Sequence, residues 1–232
     1  MPNAFGKQQL STWFHPGQTE ALHIGGALGL TVLALFSIFY GLGGHGFINS
    51  NEALYVELAR EMSETGHWAV PTLNGVPYLE KPPLFAWLLA LGYYLAQALE
   101  ITSIEFAVRL VTASATLVLV AMVCHFSALW RLSRAGITAG IVLSTSLGIN
   151  VMSRVAMPDM LLTLLFSAAL FCIPLAIHRQ SRFWWRVAAA CTGAAAMVKG
   201  PVAMALVLLI VTCTFIAIPQ WRSEMLRLLR DL

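Results

Sequence analysis

The chain has 232 residues, of which 58% are hydrophobic and only 11% charged, and its mean hydropathy is +0.75. Soluble domains carry about 25% charged residues, so this composition excludes an ordinary water-facing surface and places the chain in a membrane. The net charge of +3 comes from dispersed basic residues, which leaves no footprint for a nucleic acid partner.

A bilayer core needs about 20 apolar residues in helix. In chain order, the segments that meet or approach this are 22–43, 105–130, 135–153, 160–178, 183–198 and 201–218. The first follows a polar lead with no cleavage site and reads as a retained anchor. Cys124, Cys172, Cys191 and Cys213 all lie in apolar runs with no Cys-x-x-Cys pair, and read as free thiols.

One further apolar run, 83–99, is ambiguous, and charge placement decides it. Cytoplasmic loops collect Lys and Arg close to span ends. If 83–99 lies in the interface, the Arg131/Arg134, Arg179/Arg182/Arg186 and Arg222/Arg227/Arg230 clusters share one side with Lys7. Glu52, Glu57, Glu61, Glu64, Glu80, Glu100, Glu105 and Asp159 then face the other. If it spans, the Arg clusters move outside and the rule is broken. The expectation is an interfacial or re-entrant helix at 83–99 and a cytoplasmic N-terminus.

The polar stretch between the first span and 83–99 holds the chemistry. Residues 51–64 put Leu54, Tyr55, Leu58 and Met62 on one helical face and Glu57, Arg60, Glu61 and Glu64 on the other. Asn49, Ser50 and Asn51 supply N-cap types. This predicts an amphipathic helix on the membrane surface with a solvated acidic face and an Arg60–Glu64 pair. Pro71, Asn74–Gly75 and Pro77 are turn signals, and Pro82–Pro83 open the next helix behind Glu80 and Lys81. That corner reads either as an interfacial ion pair or as a site where Lys81 holds a phosphate.

Further along, Arg154 and Asp159 flank the Pro158 break between two spans. They read as a structural pair or as functional groups beside the membrane. Lys199, before Gly200–Pro201, falls on the same side and reads as a functional cation or a snorkelling side chain. His45, His67, His125 and His178 show no metal spacing, Trp184 and Trp185 suit an interfacial belt, and Gly193–Ala196 suit close helix packing. Carboxylates and cations on one face suit binding of an anionic lipid and activation of a nucleophile. An ion path through a transporter would use the same residue types.

The string NEALYVELAREMSETGHWAVPTLNGVPYLEKPPLFAW resembles the first periplasmic loop of bacterial aminoarabinose-transferase-like enzymes of the protein mannosyltransferase superfamily. The family pattern runs Asp-Glu-x-x-Tyr, Ala-Arg-Glu-Met, Leu-Asn-Gly, Glu-Lys-Pro-Pro, and the likeness extends through Pro158–Asp159 and Lys199–Gly200. The resemblance implies a GT-C fold: an all-α polytopic membrane protein with about six spans and two interfacial helices in a first periplasmic loop over 44–100. It implies a glycosyltransferase of the bacterial inner membrane. Such an enzyme moves a monosaccharide from a polyprenyl-phosphate carrier to a lipid or other envelope acceptor on the periplasmic face. Glu52 and Asp159 would be the acids that activate the acceptor. Glu80, Lys81 and Lys199 would serve the donor phosphate, and Arg154, on the same face by its placement, is expected to join them. No cofactor is certain, although a divalent metal occurs in several relatives.

Two departures matter. The family's Asp is Asn51 here, and an amide takes no proton at neutral pH, so Glu52 or Asp159 must act as base or the protein is a non-catalytic binder. Family members also continue with more spans and a soluble domain, so residues 1–232 are expected to form one membrane domain without the acceptor-binding part.

Overall fold

Asn49 starts the first surface element of the computed structural model, which describes residues 16–47 and 49–218. Its side chain accepts the N–H of Asn51 at 2.6 Å, one of the donors that a helix start leaves without an intrahelical partner. Before it comes helix α1 (Pro16–Phe39), and after it α2 (Ser50–Thr65), strands β1 (Thr72–Leu73) and β2 (Val76–Pro77), and α3 (Leu84–Ala98). The rest is helical: α4 (Ile104–Leu129), α5 (Ser133–Thr145), α6 (Leu147–Ser153), α7 (Pro158–Arg179), α8 (Arg182–Lys199) and α9 (Val202–Ala217). Lys7 and the Arg222/Arg227/Arg230 cluster lie outside the described residues.

α4 and α7 are each long and apolar enough to cross a membrane, and the bent pair α5–α6 makes a third such unit. The chain is an all-α, multi-pass membrane protein. The expected spans over 183–198 and 201–218 are helices at the expected places but fall short on length or composition. α9 has 16 residues, about 24 Å at 1.5 Å per residue against a hydrocarbon core of about 30 Å. α8 carries Arg182, Arg186 and Lys199 among many alanines.

The expected single span over 135–153 is bent by 63° between α5 and α6. The break exposes the Ser144 carbonyl, and two side chains satisfy it: Asn150 Nδ2 at 2.7 Å and Ser37 Oγ at 3.1 Å. Asn150 also donates to the Ser146 carbonyl at 3.0 Å. α5 seats closely on its neighbours through glycine. A Cβ on Gly136 would lie 2.6 Å from Ser127 Cβ of α4, and one on Gly140 would lie 2.7 Å from Leu30 Cδ2 of α1. The close packing expected at Gly193 is not there; the position is open, while Ala195 is buried.

The apolar face of α2 packs as its spacing predicts. Tyr55, Leu58, Ala59 and Met62 meet Phe85, Ala86, Leu89 and Ala90 of α3 over Val108 of α4 and Val198 of α8. Tyr55 and Phe85 are edge to face with centroids 5.1 Å apart. Burying each large aliphatic side chain contributes roughly 1.5–3 kcal/mol, so this cluster holds the surface helices onto the bundle.

Gly66 ends α2 with φ 72° and donates to the Met62 carbonyl, the left-handed stop that favours glycine. Asn74 (φ 52°) and Gly75 (φ 75°) make the tight turn between β1 and β2; both central residues are left-handed, as the hairpin twist requires. Arg60 pairs with Glu64, as expected, and with Glu57, each at 2.5 Å. Glu61 departs from the expected solvated face. It is buried and accepts Thr72 Oγ1 (2.6 Å), Asn74 N (2.5 Å) and Gly75 N (3.2 Å). Those donors, the Thr72 hydroxyl first, hold its carboxyl below the usual glutamate range.

The two ends of the bundle differ in charge. At one, Trp130 after α4 lies 5.2 Å from His178 of α7, beside the corners that carry Arg131, Arg134, Arg179, Arg182 and Arg186. At the other, Gly43 after α1 sits against Ser103 and Phe106 at the start of α4. The segment that contains α2, β1, β2 and α3 therefore leaves and returns at the same end.

Candidate functional site

At that end the chain between β2 and α3 meets the corner between α8 and α9. Pro71, Tyr78–Pro83 and Lys199–Pro201 line a cleft of about 520 Å³. Pro82 and Pro83 stiffen one wall, and α3 starts at Leu84 directly behind them. Lys81 is exposed and makes no ion pair among the described residues. Glu80 does not pair with it; its carboxylate instead accepts the Tyr78 hydroxyl at 3.3 Å.

Lys199 is the last residue of α8, and Asp159 is in the first turn of α7. Lys199 Nζ lies 2.6 Å from Asp159 Oδ1, with side chains 49% and 37% exposed. Each charge also complements the dipole of its own helix end. The cleft thus holds Glu80, Lys81 and Lys199, and Lys199 ties Asp159 to it. The alternative Arg154–Asp159 pair is absent. Arg154 Nη2 donates to the Ser37 carbonyl near the end of α1 at 2.6 Å, and its buried Nε has no hydrogen-bond partner. Arg154 is not part of the cleft wall.

Asn51 is exposed in the first turn of α2 and does not line the cleft. Its neighbour Glu52 is wholly buried and pairs with Arg109 of α4, Nε to Oε1 at 2.9 Å. Reading the sequence passes over Arg109. The available signal is a guanidinium inside an otherwise apolar run, which in a membrane helix always needs a partner.

Tyr55, the tyrosine of the Asn-Glu-x-x-Tyr string, is buried below the cleft. Burial, then the neighbouring Tyr78 and Asp159, push its hydroxyl up to about 12, so it remains a donor at neutral pH. Burial and Glu80 likewise raise the Tyr78 hydroxyl. The Lys81 and Lys199 ammonium groups and the Tyr78 hydroxyl can hold an anionic phosphate beside the Asp159 and Glu80 carboxylates, which can accept a proton. Among the described residues no group of three or more His, Cys, Asp or Glu side chains is placed to hold a metal ion.

Residues 80–229 match the family described as dolichyl-phosphate-mannose-protein mannosyltransferase. An undecaprenyl phosphate-alpha-4-amino-4-deoxy-L-arabinose arabinosyl transferase of Pectobacterium carotovorum is 30% identical over 182 residues, 75% of this chain and 32% of the relative. The enzyme of the same name from Shewanella sediminis is 29% identical over 82% of this chain and 34% of its own length. The chain therefore spans about a third of the length of these relatives. Among solved structures, ArnT from Cupriavidus metallidurans bound to undecaprenyl phosphate superposes with a TM-score of 0.75 at 27% identity, covering 88% of this chain and 38% of that one. Its apo state gives 0.77 at 26% over the same shares.

Proposed function

The chain belongs to the dolichyl-phosphate-mannose-protein mannosyltransferase family, and from that premise we propose that it forms the donor-sugar end of a GT-C glycosyltransferase. The reaction is transfer of a monosaccharide from a polyprenyl-phosphate carrier to a lipid or other envelope acceptor. The observation that carries this reading is the cleft itself: Lys81 and Lys199 face one space, and Lys199 is joined to Asp159.

The chemistry follows from these groups. The acceptor hydroxyl attacks the anomeric carbon and its proton passes to an Asp159 carboxylate oxygen. The bond from that carbon to the phosphate oxygen breaks, and the electron pair leaves with the phosphate. Lys81 and Lys199 balance the charge that accumulates there. Tyr78 orients Glu80 at the edge of the cleft. Glu52 is enclosed and engaged by Arg109, so the proton falls to Asp159.

The proposed setting is the bacterial inner membrane, with the N-terminus cytoplasmic, the cleft periplasmic, and α2 and α3 in the interface. Supporting this, α3 leaves and rejoins the bundle at one end, and Arg residues collect at the other.

Native mass spectrometry of the detergent-purified protein with added polyprenyl phosphate, wild type against Lys81→Ala, tests the reading. Carrier retained by wild type and lost by the variant is the expected result. Absence of carrier from both forms overturns it.

A further inference from the structure

Arg109 has no exposed surface, yet each of its five N–H groups has an acceptor. Nε and Nη2 donate to the two Glu52 oxygens at 2.9 and 3.3 Å. Nη1 donates to the Leu42 and His45 carbonyls at 3.2 and 2.7 Å, and Nη2 also to Gly46 at 2.9 Å. The Phe47 ring lies 5.6 Å from Cζ. One guanidinium on α4 therefore fixes the exit of α1 and the start of α2.

The fixed carboxylate has a second task. Glu52 Oε1 accepts the backbone N–H of Ala156 at 2.9 Å. Three residues earlier, the Ser153 carbonyl accepts the hydroxyl of Thr112, one helical turn along α4 from Arg109, at 3.0 Å. α4 thus holds both ends of the short segment between α6 and α7, one directly through Thr112 and the other through Arg109 and Glu52 of α2. Pro158 then sets the backbone entering α7, and Asp159 is the next residue.

We propose that Arg109 and Glu52 are positioning residues that, with Thr112, set where Asp159 stands relative to Lys199. This rests on the reading of Asp159 as the proton acceptor given above. A buried ion pair is a weak source of net stability, because desolvation offsets most of the attraction. A fully hydrogen-bonded one is directional, and here its last bond ends on the chain three residues before the reacting carboxylate.

The test separates position from folding and from function. In the full chain, in membranes and in a background without native cysteines, Asp159→Cys and Lys199→Cys are joined by a short bis-methanethiosulfonate. The cross-link is compared in the parent, in Glu52→Gln and in Thr112→Val, a near-isosteric change that keeps the ion pair. The expected result is a severalfold lower cross-linking rate in both variants. Sugar transfer measured on the cysteine-intact chain should lose kcat by about tenfold to a hundredfold in Glu52→Gln, with the donor KM within about twofold. A merely structural role lowers the folded fraction and leaves kcat per folded molecule unchanged. Folded variants that cross-link at the parent rate overturn the proposal. A wild type that neither binds carrier nor transfers sugar overturns the functional reading, and the cross-linking still decides the positioning.

Discussion

Lys199 and Asp159, 40 residues apart in sequence, meet at 2.6 Å. Each stands at the end of a helix whose dipole favours its charge. Both side chains are substantially exposed, so the pair does little for stability, under about 1 kcal/mol. In the proposed mechanism its value lies in holding a base and a phosphate ligand side by side.

Lys199→Ala and Asp159→Asn should therefore separate in kinetics while both unfold close to wild type. The lysine variant is expected to bind polyprenyl phosphate about tenfold more weakly, the loss of one charge-assisted hydrogen bond. The aspartate variant should keep the carrier and lose turnover by about 10² to 10⁴. Equilibrium carrier binding and single-turnover transfer measure the two effects.

Asn51→Asp restores the acidic pair of the family pattern. A carboxylate in the first turn of α2 favours the helix by about 0.3–1 kcal/mol. The expected outcome is a slightly higher melting temperature and an unchanged transfer rate, since Asn51 lies outside the cleft and Asp159 takes the proton. Faster transfer would give the restored carboxylate a share in the proton transfer.

Glu52→Ala and Arg109→Met should each cost about 3–5 kcal/mol, because each leaves the other charge buried without its partner. The double variant should be less destabilised than the sum of the two. Denaturant unfolding in detergent micelles, read as a double-mutant cycle, gives the coupling.

Acid should loosen the hairpin through Glu61. Its folded value lies below the usual glutamate value, chiefly because of the Thr72 hydroxyl. Its contribution is complete above the unfolded value and is lost as pH falls through the lowered folded one. Amide exchange over the Thr72–Pro77 hairpin should accelerate in that acid window in wild type. Glu61→Gln should exchange faster at neutral pH and lack the acid step.

What the sequence made legible was local. Asn49, Asn74–Gly75 and Pro82–Pro83 mark boundaries through their own backbone chemistry, and each boundary is where its residue type puts it. The gathering of Lys81 and Lys199 was legible from charge placement, since few polar segments share that face. Distant pairing was not. Arg109 reads as a blemish in an apolar run, because its partner Glu52 lies 57 residues away. Glu61 matches the acidic face of an amphipathic helix, and only the returning hairpin gives it donors. The α5–α6 bend rests on Asn150 and Ser37 satisfying one carbonyl, and a hydropathy window does not register that exchange.

The Glu52–Ala156 bond also sets an order of assembly. Its partners are 104 residues apart, so Glu52 must wait through the synthesis and insertion of α3, α4, α5 and α6 before its set of acceptors and donors is complete. During that interval Arg109 enters the bilayer edge with the Glu52 carboxylate as its counter-ion. The start of α2 stays provisional until the nascent chain has delivered the segment before α7. A ribosome stalled short of Ala156 would leave Glu52 without that donor and the start of α2 without its tie to the segment before α7.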